Sequence, residues 1–434
     1  MELSPGELTI IVSVAMLILL ASGMWISAAL GLLGMGLLIF LVGGGRIGMI
    51  GLIHFNAINS FLLTCVPMFI FMGEVIMYSG QADRLYKGAT SLVGFLPGGL
   101  LHTNIVACAF FAAVCGSSSV TAATIGTIAI PHIEGKGYNR RLLLGSLASA
   151  GTLGPLIPPS LVMIIYGATV GESVGKLFIA GVIPGIILTA FFMAYVVGVC
   201  SLRPSMTPER LKFSVVGLGR GLAELWQIIA LALLIGVTIY AGLGTPTEAA
   251  AVGAFLSLVF CALNRKLTWD VLKKSALSAL ETTCWILLIV IGANIVSMAL
   301  SALHLPAQLA SMVTSLGLSR YVILSLVVLL YFILGCFIDG ISMMLLTLAV
   351  VFPIITAAGF HPIWFGVVLV ILIEIGCVTP PFGINLYIIH GISKGKDIMD
   401  VIIGMIPFLI CMFILIFLLV LFPELVIWLP AHMG

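Results

Sequence analysis

The sequence predicts an all-α polytopic membrane protein built as an inverted repeat, with two re-entrant helical hairpins and two broken helices. Three observations carry that reading. Of 434 residues, 62% are hydrophobic and 8% are charged, and the mean hydropathy is +1.30, whereas soluble domains carry about 25% charged residues. A set of helix-breaking and polar residues occurs twice, 222 positions apart: Ser117, Pro131, Gly154 and Pro158-Pro159 fall on Asp339, Pro353, Gly376 and Pro380-Pro381. The basic residues, finally, sort to one side of a bilayer only if both hairpins turn back to the side they entered.

Taken in order, apolar runs near 6–22, 25–43 and 56–80 fit membrane helices, since a span needs about 20 mostly apolar residues. The amino end, Met1-Glu2-Leu3-Ser4-Pro5-Gly6-Glu7, lacks a basic n-region, so the first run reads as a retained helix and not a cleaved signal. Residues 92–139 read as two short helices meeting at Cys115-Gly116-Ser117-Ser118-Ser119. Non-helical backbone at membrane depth is tolerated only inside protein or beside a wet cavity, which makes this stretch a hairpin. Residues 140–170 read as a helix broken at Gly154–Pro159, because each proline removes an amide donor and clashes with the preceding turn. A span near 177–200 closes the first repeat, 1–202. A polar linker, 203–221, opens with Arg203-Pro204-Ser205-Met206-Thr207-Pro208.

The second repeat, 222–434, supplies spans near 222–242, 246–263 and 276–300. A hairpin over 318–357 follows, with its tip at Phe337-Ile338-Asp339-Gly340-Ile341. A broken helix over 362–391 and a span near 400–428 complete it. With the amino terminus outside, fifteen of the 18 Lys and Arg face the cytoplasm and only Arg46, Lys176 and Arg320 fall outside. If either hairpin crossed fully, every later loop would change sides and the bias would vanish. The first hairpin therefore enters from the cytoplasm and the second from outside, and both chain termini face outward. Broken helices at matching places in two inverted halves mark a transporter's binding site.

Several function classes are set aside. No phosphate loop of Walker type occurs, so ATP is not the energy source. No basic stripe interleaved with aromatics points to nucleic acid. The nine cysteines are scattered without Cys-x-x-Cys, and the seven histidines have no metal spacing. His132 lies at least about 10 Å from the first tip along a helix, which disfavours a Ser–His hydrolase.

Each tip frees carbonyls and amides that lipid cannot satisfy. A cation satisfies carbonyls, and an anion satisfies amides at half-helix starts. Ser117 adds a hydroxyl at the first tip, and the carbonyls of Gly154, Ile157 and Pro159 lie at the first break. Gly376, Thr379 and Pro381 offer the same carbonyls at the second break. Hydroxyls plus carbonyls with little net charge suit a hard monovalent cation. The plainer alternatives are close helix packing by small residues and a simple proline kink. Asp339 is read as a cation ligand, a proton relay or a helix cap. Glu74 and Glu374 are further intramembrane acids. Glu248, in Thr245-Pro246-Thr247-Glu248, reads as a helix-start cap, and Asn294 and Asn385 as ligand contacts or helix–helix hydrogen bonds.

Gly116-Ser117-Ser118, Gly151-Thr152-Leu153-Gly154-x-x-Ile157-Pro158-Pro159-Ser160, Pro246-Thr247-Glu248-Ala249-Ala250 and Thr379-Pro380-Pro381-x-Gly383-x-Asn385 resemble the large membrane subunit of tripartite ATP-independent periplasmic (TRAP) transporters. The resemblance spans essentially the whole chain. It implies sodium-driven import of a small organic acid, such as a sialic acid or a C4-dicarboxylate, across a bacterial inner membrane by an elevator mechanism. It also implies a separate small four-helix membrane subunit and a periplasmic substrate-binding protein. Cys115 stands where many relatives have serine, which would move the ligand there to the Cys115 carbonyl. On this reading at least two sodium ions bind, one at Ser117 and the Gly154–Pro159 backbone, the other at Asp339 and the Gly376–Pro381 backbone. The anion sits between them, facing Ser118, Ser160 and Asn385. The alternatives are a stand-alone sodium–dicarboxylate symporter, and, from other classes, a membrane scaffold or an intramembrane hydrolase.

Overall fold

The computed structural model describes residues 4–43, 47–208, 213–394 and 397–433. Arg46, Arg210, Lys212 and Lys396, which enter the charge reading, lie outside them. All regular structure among the described residues is helical. The first half runs α1 (Pro5–Ala21), α2 (Ile26–Phe40), α3 (Met49–Ile58), α4 (Cys65–Tyr78), α5 (Gln81–Val93), α6 (Leu100–Cys115), α7 (Ser118–Ile133), α8 (Arg140–Ala150), α9 (Leu161–Val170) and α10 (Val174–Leu202). The second runs α11 (Val215–Tyr240), α12 (Pro246–Leu263), α13 (Trp269–Ala302), α14 (Leu305–Ser315), α15 (Arg320–Gly335), α16 (Gly340–Ala357), α17 (Pro362–Cys377), α18 (Ile384–Ile392), α19 (Ile398–Leu421) and α20 (Glu424–Ala431). Six of these, α10, α11, α12, α13, α16 and α19, are long and apolar enough to cross a membrane.

The repeat is legible in the helix bounds. Moving α7 by 222 residues starts it on the first residue of α16, and the same shift lays α6 on α15, α8 on α17, α9 on α18 and α10 on α19 within a few residues at their starts. Both hairpins and both breaks are present. Two short helices absent from the sequence reading, α5 and α14, are also counterparts under this shift.

Among the boundaries that differ from the sequence reading, four have a local cause. The run 56–80 is two elements, because Ser60 organises a local turn: its hydroxyl accepts from Leu63 N at 3.3 Å and its carbonyl from the Thr64 hydroxyl at 3.1 Å. Such side-chain bonds compete with helix. The first hairpin starts only at Leu100, after Gly98 and Gly99 turn the chain with φ of +119° and +51°. Helix reaches back into the expected linker as far as Val215, capped by Ser214 accepting from Gly217 N at 3.2 Å. The last span stops at Leu421, and Phe422-Pro423 separates it from α20.

Contacts between distant helix ends sort into two opposed sets. At one end, Arg84 donates to Asn264 at 2.6 Å, Asn139 N donates to Met206 O at 2.8 Å, and Arg141 pairs with Asp400 at 2.9 Å. At the other, Tyr166 donates to Pro362 O at 2.8 Å, Thr247 to Phe61 O at 3.0 Å and Trp364 to Leu419 O at 3.0 Å. That division requires each hairpin to return to the end it left. The centre of the molecule is α17, whose residues from Ile363 to Gly376 are all buried. An uninterrupted apolar sequence suits a helix enclosed on every side, and it carries one acid, Glu374, into the core.

Candidate functional site between the hairpin tips

The first tip forms because α6 ends at Gly116 in the left-handed region, with φ of +66°. A Cβ there would also stand 2.5 Å from the Pro159 carbonyl oxygen, so conformation and space both demand glycine. Ser117 is extended and leads into α7, and its carbonyl accepts from Thr121 N at 3.1 Å and from the Thr121 hydroxyl at 2.7 Å. The facing helix α8 tightens into a 3₁₀ turn, Gly151–Leu153, then opens through a cis Pro158–Pro159 peptide before α9. Tip and break are docked. A Cβ on Gly154 would lie 2.7 Å from the Ser117 carbonyl, and Leu161 N donates to Gly116 O at 3.5 Å.

The second tip repeats the plan with different chemistry. Asp339 is the N-cap of α16, its carboxylate accepting from Ser342 N at 3.1 Å. The break after α17 carries a cis Pro380–Pro381 peptide, and Phe382 N donates to Cys336 O at 3.1 Å. The candidate carbonyls of this break are engaged internally. Gly376 O accepts from Thr379 N at 3.1 Å, Thr379 O from Gly383 N at 3.0 Å, and Pro381 O from the Tyr387 hydroxyl at 2.8 Å. By contrast, among the described residues the carbonyls of Cys115, Gly154, Ile157 and Pro159 accept no hydrogen bond that the backbone or side chains supply. The first site thus keeps these oxygens free, and the Ser117 hydroxyl has one described neighbour, the Ser119 hydroxyl at 3.3 Å.

The three residues expected at the substrate are all enclosed. Ser118 is 8% exposed, and Ser160 and Asn385 are 0% exposed. Ser160 caps α9, accepting from Met163 N at 3.2 Å. Asn385 ties the repeats together, donating from Nδ2 to Ala148 O at 3.3 Å, while its Oδ1 has no partner. Asn294 is not brought to the tips. It lines a separate cavity of about 390 Å³ with Asn56, Ser60 and Thr169, between α3, α9 and α13. Glu248 forms a capping box with Thr245, whose N–H reaches the Glu248 carboxylate at 2.7 Å. Two adjoining cavities of about 330 and 770 Å³ follow one face of α7, past Thr124, Thr127 and His132. The larger one also reaches Lys87.

Two acids flank the first tip. Glu74 on α4 lies beside Ser278 and Cys115, and Gly73 lets α4 approach so closely that a Cβ would meet the Cys115 Cα at 3.2 Å. Glu374, noted in the sequence without a role, comes from the other repeat and lies beside the Ser118 hydroxyl. The signal available was an acid inside an otherwise apolar run.

Comparison with known proteins agrees with this architecture. Residues 13–425 match the family model described as "Tripartite ATP-independent periplasmic transporter, DctM component". The chain is 34% identical over 384 residues to the C4-dicarboxylate TRAP transporter large permease protein DctM of Pseudomonas aeruginosa, covering 88% of each. It is 31% identical over 386 residues to the sialic acid TRAP transporter large permease protein SiaM of Vibrio cholerae, covering 86% of this chain and 87% of that one. Its fold is similar to the crystal structure of the Alcanivorax borkumensis YdaH transporter, with a TM-score of 0.64 at 15% identity, covering 94% and 97% of the two chains.

Proposed function

The chain belongs to the DctM component family of tripartite ATP-independent periplasmic transporters, and from that premise we propose that it imports a small organic acid anion together with sodium. The observation that carries the coupling is that the carbonyls of Cys115, Gly154, Ile157 and Pro159, on the docked first tip and break, accept no hydrogen bond among the described residues. Neutral hydroxyl and carbonyl donors, with the flanking acids Glu74 and Glu374 outside the set, fit a desolvated monovalent cation, which would supply the charge those dipoles lack. Asp339 and the backbone at Gly376, Thr379 and Pro381 form the second sodium site. Because their carbonyls already have partners, Asp339 provides most of the attraction there.

The anion is a carboxylate. The named relatives handle C4-dicarboxylates and sialic acid, and Ser118, Ser160 and Asn385, enclosed beside the first tip and its break, are the neutral partners for such a group. Transport proceeds as an elevator: the docked hairpins and breaks move as one body past a scaffold that includes α2, α11, α12 and α13. A periplasmic binding protein delivers the substrate, and a separate small four-helix membrane subunit braces the scaffold. The setting is the bacterial inner membrane, with the Lys87 end of the molecule in the cytoplasm and both termini in the periplasm.

The test is uptake of radiolabelled C4-dicarboxylate or sialic acid into proteoliposomes holding the chain with its two partner subunits. Uptake is expected with an inward sodium gradient and not with a potassium gradient. Equal uptake under both removes the coupling, and full uptake by this chain alone removes the need for the binding protein.

A further inference from the structure

Glu374 is 2% exposed on the enclosed helix α17, and its Oε2 has no hydrogen-bond partner. The described ion pairs use Glu134, Asp400 and Asp270, so no lysine or arginine of the described residues neutralises it. A carboxylate in this position is costly unless a positive charge meets it. Its described neighbours are a hydroxyl and the Cys377 thiol. The Ser118 hydroxyl of the first tip lies beside it. Ser118 O and Asn385 Nδ2 stand 3.1 and 3.2 Å from the same point, the place of a Cβ on Gly151, which puts the Asn385 amide near the Ser118 backbone with its Oδ1 unpartnered. One turn on, Cys377 lies close to Gly340 at the second tip, and Ile373 packs directly on Gly340. Glu374 thus stands between the two tips, beside Ser118 of the first and one turn from the Cys377 that borders the second.

We propose that Glu374, the Ser118 hydroxyl and the Asn385 side-chain carbonyl form a further binding site for a hard monovalent cation, distinct from the two tip sites. This rests on the sodium-coupled reading above and deepens it. An organic anion seated at Ser118 and Asn385 alone would face the Glu374 carboxylate and be repelled. A cation held there reverses the sign of the field: it neutralises Glu374 and becomes the anion's counter-charge. Substrate and ion then bind as a unit, and the residues facing the substrate also hold the ion that attracts it. Three oxygen donors of one negative and two neutral kinds match sodium better than a divalent ion, which generally collects more carboxylates.

The experiment counts radiolabelled sodium bound to the purified full chain in detergent, with choline replacing sodium to hold ionic strength. Glu374→Gln is expected to bind one ion fewer per chain than wild type. Glu374→Asp, which keeps the charge on a shorter stem, should keep the count and weaken that ion's binding by about tenfold, as displaced ligand shells do. An unchanged count in Glu374→Gln overturns the site. If that variant fails to fold, the wild-type count decides: one ion per tip and no more overturns the site alone, and no bound sodium overturns the coupled reading with it.

Discussion

Gly335 and Gly376 cross at backbone contact. A Cβ on Gly335 would lie 2.6 Å from the Gly376 Cα, and one on Gly376 would lie 2.7 Å from the Gly335 Cα. The first arm of the second hairpin is thereby pressed onto the end of α17, just before the break that follows. Small residues allow such approach in membranes, where packing replaces the hydrophobic effect as the attraction between helices.

Substituting either glycine with alanine must push α15 and α17 apart. Overpacking of this kind costs about 1–3 kcal/mol, so Gly335→Ala and Gly376→Ala should lower the thermal midpoint of the detergent-purified chain. Gly236→Ala is the control: it lies in helix α11 with nothing within 4 Å of the added carbon. That change should be neutral or stabilising, since alanine exceeds glycine in helix propensity by about 1 kcal/mol. Equal midpoints for all three would show that the crossing is not tight in the folded protein.

Asp339 has two roles to separate. As N-cap of α16 it accepts from Ser342 N at 3.1 Å, and in the proposed mechanism it also ligates sodium. Asparagine keeps the cap but not the charge, whereas alanine removes both, at about 1 kcal/mol for the cap. Without sodium, Asp339→Asn should melt with wild type and Asp339→Ala below it. With sodium, only wild type should gain stability from the second site. Sodium protection of Asp339→Asn equal to wild type would leave Asp339 as a cap alone.

Much of this architecture is legible in the sequence, for a physical reason. In an apolar chain Gly, Ser, Asp and paired prolines are costly, so Gly154 with Pro158-Pro159 and Gly376 with Pro380-Pro381 stand out and carry the 222-residue repeat. Helix α5 is harder to see: Gln81, Asp83, Arg84 and Lys87 give it the look of a loop, although Leu85, Tyr86 and Ala89 bury a helical stripe. Tertiary hydrogen bonding is not in the sequence at all. The two breaks look alike as strings, yet Thr379, Gly383 and Tyr387 occupy the carbonyls of one and leave no counterpart on the other. Glu374 could not be matched to Ser118 because only the folded pairing of the repeats brings them together.

Orientation rests on where the basic ends lie, and it yields the sharpest topological test. Glu134, Arg140, Arg141 and Asp400 form one cluster, with Arg140 2.8 Å from Glu134 and Arg141 2.9 Å from Asp400. This joins the end of the first hairpin to the starts of α8 and α19, so all three termini share a side. Lys87 precedes that hairpin and Lys136 follows it, and both should be cytoplasmic, whereas Lys176 and Arg320 should face the periplasm. In a background with the exposed Cys284 replaced by serine, single cysteines at these four positions can be probed with a membrane-impermeant maleimide. Intact cells lacking an outer-membrane barrier should label Lys176→Cys and Arg320→Cys. Lys87→Cys and Lys136→Cys should label only after lysis. If Lys87→Cys and Lys136→Cys label from opposite sides, the first hairpin crosses the bilayer and the inverted pairing of the two tips cannot hold.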